Sequence, residues 1–451
     1  MRPRIPSRRA SVDDEDDSSQ KFYDTSFNRN MWLMMQTLST IVMLLQVSEH
    51  TKTYLSYYTY TNVTMITAKE LEFPAVTICN LNPYNKSIAI EENAFTEYLI
   101  RTNTLSFMET TLNYTDSRTG GLNNGFSHNF VGRTNNELKN FFVTCVQKWQ
   151  LIYCDDFFTP RMTELGVCFT FNGPDRKSVM TSSTGNTSSL TMYIKVERDN
   201  FLFDTGNNIK VVLHDKFEEP NIREKGFLAV PGYSTYASVS STKYKYLGRP
   251  YRSLPREESY CMDTGMPSFS SPLVFYSHYS YSACMIECRQ NYTARRCKCR
   301  SHTDPGNDTI CTPMQFVSCY KPKASYFEMR LQQTCNCPFR CESMSYSANV
   351  SSVEFLSDHS ADMLHDKGFS NLREYAEIRI YFNDLNYTVA EQVPKMLATD
   401  FLYGLGWIVV VYIIVTLITL LKVISVIIDL VLGIAFTISE VLYVIIDSCL
   451  E

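Results

Sequence analysis

Two stretches of the chain are apolar with little interruption. Phe401 to Leu421 (FLYGLGWIVVVYIIVTLITLL) runs for 21 residues without a charge, and about 20 suffice to cross a hydrocarbon core about 30 Å thick. This predicts a transmembrane helix. Apolar character continues past Lys422 to Ile446, broken only by Asp429 and Glu440, and at ~1.5 Å per residue the stretch from 401 to 446 makes a helix of about 69 Å. One straight crossing cannot use that length. Either the helix breaks, with part of it at or beyond the inner surface, or its halves form a hairpin that returns the C-terminus outside. Near the other end, Met31 to Val47 (MWLMMQTLSTIVMLLQV) supplies 17 residues, short for a span and also suited to a signal-peptide core. An uncleaved span is favoured, because the preceding segment carries the acidic block DDEDD and no A-x-A-like site follows. The basic residues of the first 30 positions then fall on the cytoplasmic side.

Between these stretches, β-branched and aromatic runs alternate or read continuously apolar: FPAVTICN (73 to 80), VCFTFN (167 to 172), SLTMYIKVE (189 to 197), IKVVLH (209 to 214) and EIRIYFNDLNYT (377 to 388). They predict strands and a sheet at the core. Residues 91 to 150 and 280 to 335 are spaced more like helices, with Cys284 and Cys288 one turn apart in YSACMIECRQNY. Residues 1 to 30, polar and of mixed charge, predict a mobile cytoplasmic arm. The expected organisation is an arm at 1–30, a first span at 31–50, an extracellular domain at 51–395, and an irregular second membrane segment at 396–451.

Composition narrows the function. With 44% hydrophobic and 20% charged residues the chain belongs among folded proteins. A formal net charge of -5, with no basic run beyond RPRIPSRR, argues against nucleic-acid binding, which needs a basic footprint. No nucleophile, metal or phosphate-loop signature is visible, so no enzyme and no cofactor is expected. Of 15 cysteines, 14 lie between Cys79 and Cys341, and an even set in one segment suggests pairing. Eight N-x-[ST] sequons, at Asn62, Asn85, Asn113, Asn186, Asn291, Asn307, Asn349 and Asn386, lie in and around that segment, all between the two apolar stretches. Together they place residues 50 to 395 in an oxidising, glycosylating compartment. Zinc is the lesser reading of the C-x-C pairs, since structural zinc sites prefer two to four intervening residues.

YSACMIEC, RCKC, ICTPMQFVSC and TCNCPFRC resemble the cysteine ladder of the degenerin/epithelial sodium channel and acid-sensing channel family. FPAVTICN, ELGVCFTFN, and IKVVLHDKFEEPN followed by GFLAVPGYST match three further blocks, so the resemblance covers residues of about 54 to 392. It implies the pairs Cys261–Cys341, Cys284–Cys337, Cys288–Cys335, Cys297–Cys319, Cys299–Cys311, Cys79–Cys168 and Cys145–Cys154. It implies an α+β extracellular domain with a central antiparallel sheet and disulfide-stapled helices, plus two main transmembrane helices. By resemblance the chain is a plasma-membrane subunit of a homo- or heterotrimer with related subunits, forming an amiloride-sensitive channel in which sodium is the permeant ion.

The pattern also departs from the family. Asn28 and Arg29 stand where a His-Gly dipeptide precedes the first span. In the second span TDFLYGLGW keeps only Asp400 and Gly406 of D-x-G-G-x-x-G-L-x-x-G-x-S, and no G-x-S follows at the expected distance. A second partial match in LVLGIAFTISEVLYVIID makes Gly433, Ile434 and Ala435 the filter triplet. Asp429 and Glu440, costly to hold in lipid, are then expected to face protein or water, and three copies of Glu440 form an acidic ring. The alternative places Lys422, Asp429 and Glu440 at the inner membrane boundary. At the level of function, the rival is a non-conducting subunit or surface receptor that keeps the extracellular domain without the filter. An ATP-gated two-span channel is the weaker alternative, since it lacks FPAVTICN and this ladder.

Overall fold

The computed structural model describes residues 13–81, 141–148, 150–196, 208–251, 260–311, 315–331, 334–354 and 372–450. They fall in two compact units, one formed by Met1–Tyr60 with Pro394–Glu451 and the other by Thr61–Val393.

In the first unit, α1 spans Asp13–Leu55. No glycine or proline lies within it, so nothing removes a rung of the i to i−4 ladder. The helix therefore begins in the polar N-terminal residues, and the arm expected at 1–30 is helical from Asp13 onward. In the second unit, the strands β1 (Thr59–Thr67), β2 (Leu71–Glu72), β3 (Ala75–Asn80), β4 (Phe142–Gln147), β5 (Gln150–Ile152), β6 (Phe158–Thr163), β7 (Gly166–Phe171), β8 (Met180–Thr181), β9 (Leu190–Lys195), β10 (Ile209–His214), β11 (Phe227–Ala229) and β12 (Tyr233–Lys245) follow in order. Next come α2 (Tyr281–Cys297), then α3 (Lys321–Tyr326) between π-helical turns at Phe316–Tyr320 and Phe327–Leu331, then β13 (Glu342–Glu354) and β14 (Tyr375–Pro394). The chain closes on α4, Ala398–Leu450, back in the first unit.

One sheet runs β13-β12-β14-β9-β4-β5, with β1 also paired to β14; a second runs β11-β10-β3-β7-β6. The central sheet was expected to be antiparallel, and most of it is, but β12 and β14 lie parallel from Ser234↔Glu377 onward. Connectivity is the reason. β13 runs antiparallel to β12, the chain reverses once more before β14, and β14 must then share the direction of β12. The helix-like spacing read over 91 to 150 also fails where it can be seen. Phe142–Gln147 and Gln150–Ile152 form an antiparallel hairpin closed by Cys145–Cys154, and residues 91–140 lie outside the described ones.

Side chains from both sheets meet in one apolar cluster that includes Ile78, Phe158, Phe171, Leu190, Met192, Ile194, Ile209, Ile378 and Ile380, all fully buried. Phe73 joins the sheets, edge-on to Phe171 (5.9 Å) and to Phe382 (5.8 Å). The alternation of IKVVLH and EIRIYF explains why these strands were readable: their even spacing of branched residues delivers one face to this core.

The loop entering β11 depends on Gly226. Its φ of +89° lies in the left-handed region, and a Cβ there would overlap the Val211 backbone carbonyl, which cannot swing aside. We expect Gly226→Ala to lower the stability of the full-length protein by at least about 2 kcal/mol, measured as a fall in melting temperature in detergent.

Candidate functional site: the paired spans and the strands that enter them

Both apolar runs form helices long enough to cross a membrane, Asn30–Leu55 and Ala398–Tyr443. The break or hairpin expected between 401 and 446 does not occur. α4 is one helix of 53 residues, because it contains no proline and its glycines, Gly404, Gly406 and Gly433, leave every backbone donor in place. Its start is set by Asp400, whose Oδ2 accepts the backbone N–H of Leu397 (3.1 Å), the arrangement in which a first-turn acid satisfies the residue before the helix.

The two helices touch along a repeating seam. Half-buried positions on α1 are Trp32, Gln36, Ser39, Met43, Val47, His50 and Tyr54; on α4 they are Phe401, Gly404, Leu405, Ile408, Tyr412, Val415 and Thr419. Steps of three and four residues bring one face of each helix to the other. At the end nearest β1 and β14, Phe401 stacks on Tyr54 (4.4 Å between centroids) and on His50 (5.5 Å). Gly404 lets the His50 ring approach so closely that a Cβ would overlap it. Farther along, the Tyr412 hydroxyl donates to Gln46 Oε1 (3.4 Å).

Below Thr419 the seam ends, and α4 is exposed from Leu421 to Tyr443. Asp429, Gly433, Ile434, Ala435 and Glu440 all lie in this stretch, and the helix is continuous through the glycine. Thr437 returns its hydroxyl to the carbonyls of Ile434 (2.8 Å) and Gly433 (3.2 Å). Asp429 and Glu440 make no ion pair among the described residues.

The strands flanking the spans are tied to each other. Three residues separate α1 from β1, and three separate β14 from α4. Within the second unit, Ala68 N donates to Leu385 O (3.0 Å) and Thr67 Oγ1 to Asn386 Oδ1 (2.6 Å). Here β14 also slips out of register with β12: Val239 faces Phe382, yet Ser241 faces Tyr387, so Asn383–Asn386 bulge.

The remaining predicted residues sit elsewhere in the second unit. The structure links Cys79–Cys168, Cys145–Cys154, Cys261–Cys341, Cys284–Cys337, Cys288–Cys335, Cys297–Cys319 and Cys299–Cys311, the pairs the resemblance implies. Cys284 and Cys288, on successive turns of α2, take Cys337 and Cys335 in reversed order, as rungs between antiparallel segments. Asn62, Asn186, Asn291, Asn307 and Asn349 are exposed and Asn386 is half-buried; Asn85 and Asn113 lie outside the described residues.

Sequence reasoning gave no notice of a charged cluster beside the ladder. Arg289 of α2 reaches Glu164, Asp304 (3.3 Å) and Glu328 (3.4 Å), while Arg223 meets Glu164 (2.6 Å) and Glu328 (3.4 Å). Burial works against the Arg289 charge, but Asp304 and Glu164 outweigh it and hold the guanidinium protonated beyond its usual range. These groups line part of a cavity of about 920 Å³. Among the described residues no group of three or more metal-ligating side chains is found.

A model of the amiloride-sensitive sodium channel family matches residues 18–424, the whole of both helices' seam and everything between. The chain belongs to that family. Its members are ion channels of the membrane, not enzymes. Acid-sensing ion channel 2 of Homo sapiens is 28% identical over 401 residues, covering 81% of this chain and 74% of that protein. Acid-sensing ion channel 2 of Danio rerio is 26% identical over 424 residues, covering 87% and 76%, and acid-sensing ion channel 1 of Gallus gallus is 26% identical over 401, covering 81% and 72%. A cryo-EM structure of a proton-activated chloride channel superposes with a TM-score of 0.33 at 7% identity, over 86% of this chain and 92% of that one, too slight a likeness to bear on the fold. The family match stops at residue 424, short of Asp429, Gly433 and Glu440.

Two outcomes follow from this geometry. His214 sits in a buried relay: its Nδ1 donates to the Asp215 carbonyl (2.8 Å), so Nε2 accepts from the Thr77 hydroxyl (2.8 Å), which in turn accepts from Thr170 (2.8 Å). Burial pushes the imidazole down to about 4, and burial does the same to His302. A base depressed in the fold keeps its stabilising contribution above the unfolded value near 6.5 and loses it as pH falls towards 4. For His214 that is about 3 kcal/mol. Melting temperature should therefore drop steeply between about pH 6.5 and 4, and His214→Gln should flatten part of that fall. At the span seam, Gly404→Ala should displace His50 from Phe401 and lower thermal stability by about 1–3 kcal/mol, and the double variant with His50→Ala should recover most of the loss.

Proposed function

We propose that the chain is a subunit of a homo- or heterotrimeric, sodium-preferring, amiloride-blocked cation channel of the plasma membrane, with residues 61–393 outside. The observation that carries this reading is the pairing of β1 with β14, the strands that run directly into the two apolar helices of a chain in this family. A stimulus shifts the stapled extracellular domain between two packings. The paired strands, from Val63 to Thr77 and from Glu377 to Thr388, carry the shift to the spans, which tilt and widen the pore. The bulge at Asn383–Asn386 gives β14 a place to absorb such a shift. In this reading α4 lines the pore, Gly433, Ile434 and Ala435 form the filter, backbone carbonyls replace part of the ion's hydration, and Asp429 and Glu440 concentrate cations. Extracellular acid is the stimulus to apply first, since the relatives are named for it.

The test is whole-cell current in oocytes expressing this chain alone and with related subunits, with surface biotinylation alongside. The expected result is a sodium-carried current blocked by amiloride, whose ion preference changes in Gly433→Ala and Glu440→Gln. Surface arrival without current under sodium and acid overturns the reading.

A further inference from the structure

The seam between α1 and α4 opens, toward the ends that join β1 and β14, into a cavity of about 550 Å³ lined by Gln46, Glu49, His50, Thr53, Trp407, Ile408, Val411 and Tyr412. Its size suits a small ligand. Its chemistry is one-sided. Glu49 is its only charged group of either sign, and no ion pair to it exists among the described residues. Glu49 is exposed near the end of α1 that leads to β1, so its carboxylate is free to take a cationic partner. Facing it are the indole of Trp407, which is 70% exposed, and the phenol of Tyr412, whose hydroxyl is engaged by Gln46. Ile408 and Val411 supply an apolar wall. The His50 ring is held against Phe401 and Gly404, with Nε2 buried and without a hydrogen bond.

A carboxylate, an aromatic face and an aliphatic wall around one space are the elements that recognise an organic ammonium carrying an apolar chain. The carboxylate neutralises the charge, the indole face attracts it, and Ile408 and Val411 cover the chain. A bare sodium ion finds no ring of oxygens here, and an anion meets Glu49. We propose that this inter-span cavity binds an alkylammonium cation, in which Glu49 and Trp407 hold the head group. The chemistry is shared by a soluble amine and by the choline head of a lipid. The proposal does not depend on conduction.

The experiment uses the full-length protein in lipid nanodiscs and tritiated decyltrimethylammonium as the probe. Saturable binding is expected, with decyl sulfate failing to compete. Glu49→Gln and Trp407→Leu, each checked to melt at the wild-type temperature, should each weaken affinity about threefold to fivefold, the scale of losing one exposed charge or cation–π contact. A photoreactive diazirine analogue on the wild-type protein, which needs no variant to fold, should label peptides containing 46–53 and 407–412. Weaker probe binding in phosphatidylcholine than in discs of an uncharged glycolipid, which lacks both an ammonium and a surface charge, identifies a lipid head group as occupant; equal binding identifies a soluble amine. Unchanged affinity in both variants, equal competition by decyl sulfate, or photolabel spread evenly along α4 overturns the proposal.

Discussion

β14 is the constraint to which the other elements answer. Along one edge it pairs with β12, and along the other it pairs first with β9 and then with β1. Its apolar face, Ile378, Ile380 and Phe382, enters the shared core. Fixing β14 therefore fixes the sheet, and through β1 it brings the first and last strands together at the points where the chain leaves for α1 and α4. A strand so heavily paired is stiff except where its ladder is interrupted. The interruption at Asn383–Asn386 lies where Thr67 bonds to Asn386, so the one loosened stretch of β14 is also the stretch bonded to the end of β1.

Much of this was legible in the chain because it is local. Strands such as IKVVLH declare themselves by side-chain period, α2 by the helical spacing of YSACMIECRQNY, and the ladder by cysteines one turn apart. β12 and β13 were not legible. Their sequences, YSTYASVSSTKYK and ESMSYSANVSSVE, are rich in serine and carry weak apolar alternation, and their strand state comes from neighbours distant in sequence. The parallel pairing of β12 and β14 is likewise a matter of how many times the chain reverses, which no local pattern encodes. The predicted break in 401–446 failed because it was argued from membrane thickness, whereas the helix obeys its own hydrogen-bond ladder. The seam residues Gln46, His50 and Tyr412 had a faint signal, polar groups recurring at helical spacing within apolar runs, but Gly404 is informative only once His50 is seen against it.

The charged cluster around Arg289 illustrates why such groups stay hidden. Glu164 comes from the turn between β6 and β7, Arg289 from α2, Asp304 from the loop after it, and Glu328 from the turn after α3. Removing ions from water costs several kcal/mol each, and the two most buried members, Arg289 and Asp304, offset that cost by pairing with each other. Tyr320 donates to Asp304 as well, using a further acceptor of the same carboxylate. The cysteine ladder supplies the order that makes this possible: Cys288–Cys335 and Cys297–Cys319 hold α2 against the segments around α3. Pairing charges across four separate segments requires that those segments already be positioned.

The same reasoning bears on the lower half of α4. The half-buried positions Phe401, Ile408 and Val415 advance by seven, as do Leu405, Tyr412 and Thr419. Continuing these two series gives Lys422 and Asp429 in one, and Val426, Gly433 and Glu440 in the other. Both acids and the lone basic residue of the apolar stretch thus fall on one side of the helix, with Lys422 and Glu440 separated by 18 residues, which is about five full turns. Had these charges only marked a membrane boundary, nothing would have required them to share a line. A common line on a helix otherwise apolar all round means that a single neighbour, or a single column of water, can satisfy all three. It also means that the residues singled out for the ion path continue the face that α1 covers higher up, so exposing them to an ion path requires the covering helix to end or diverge below Thr419, which is where the half-buried positions on α4 stop.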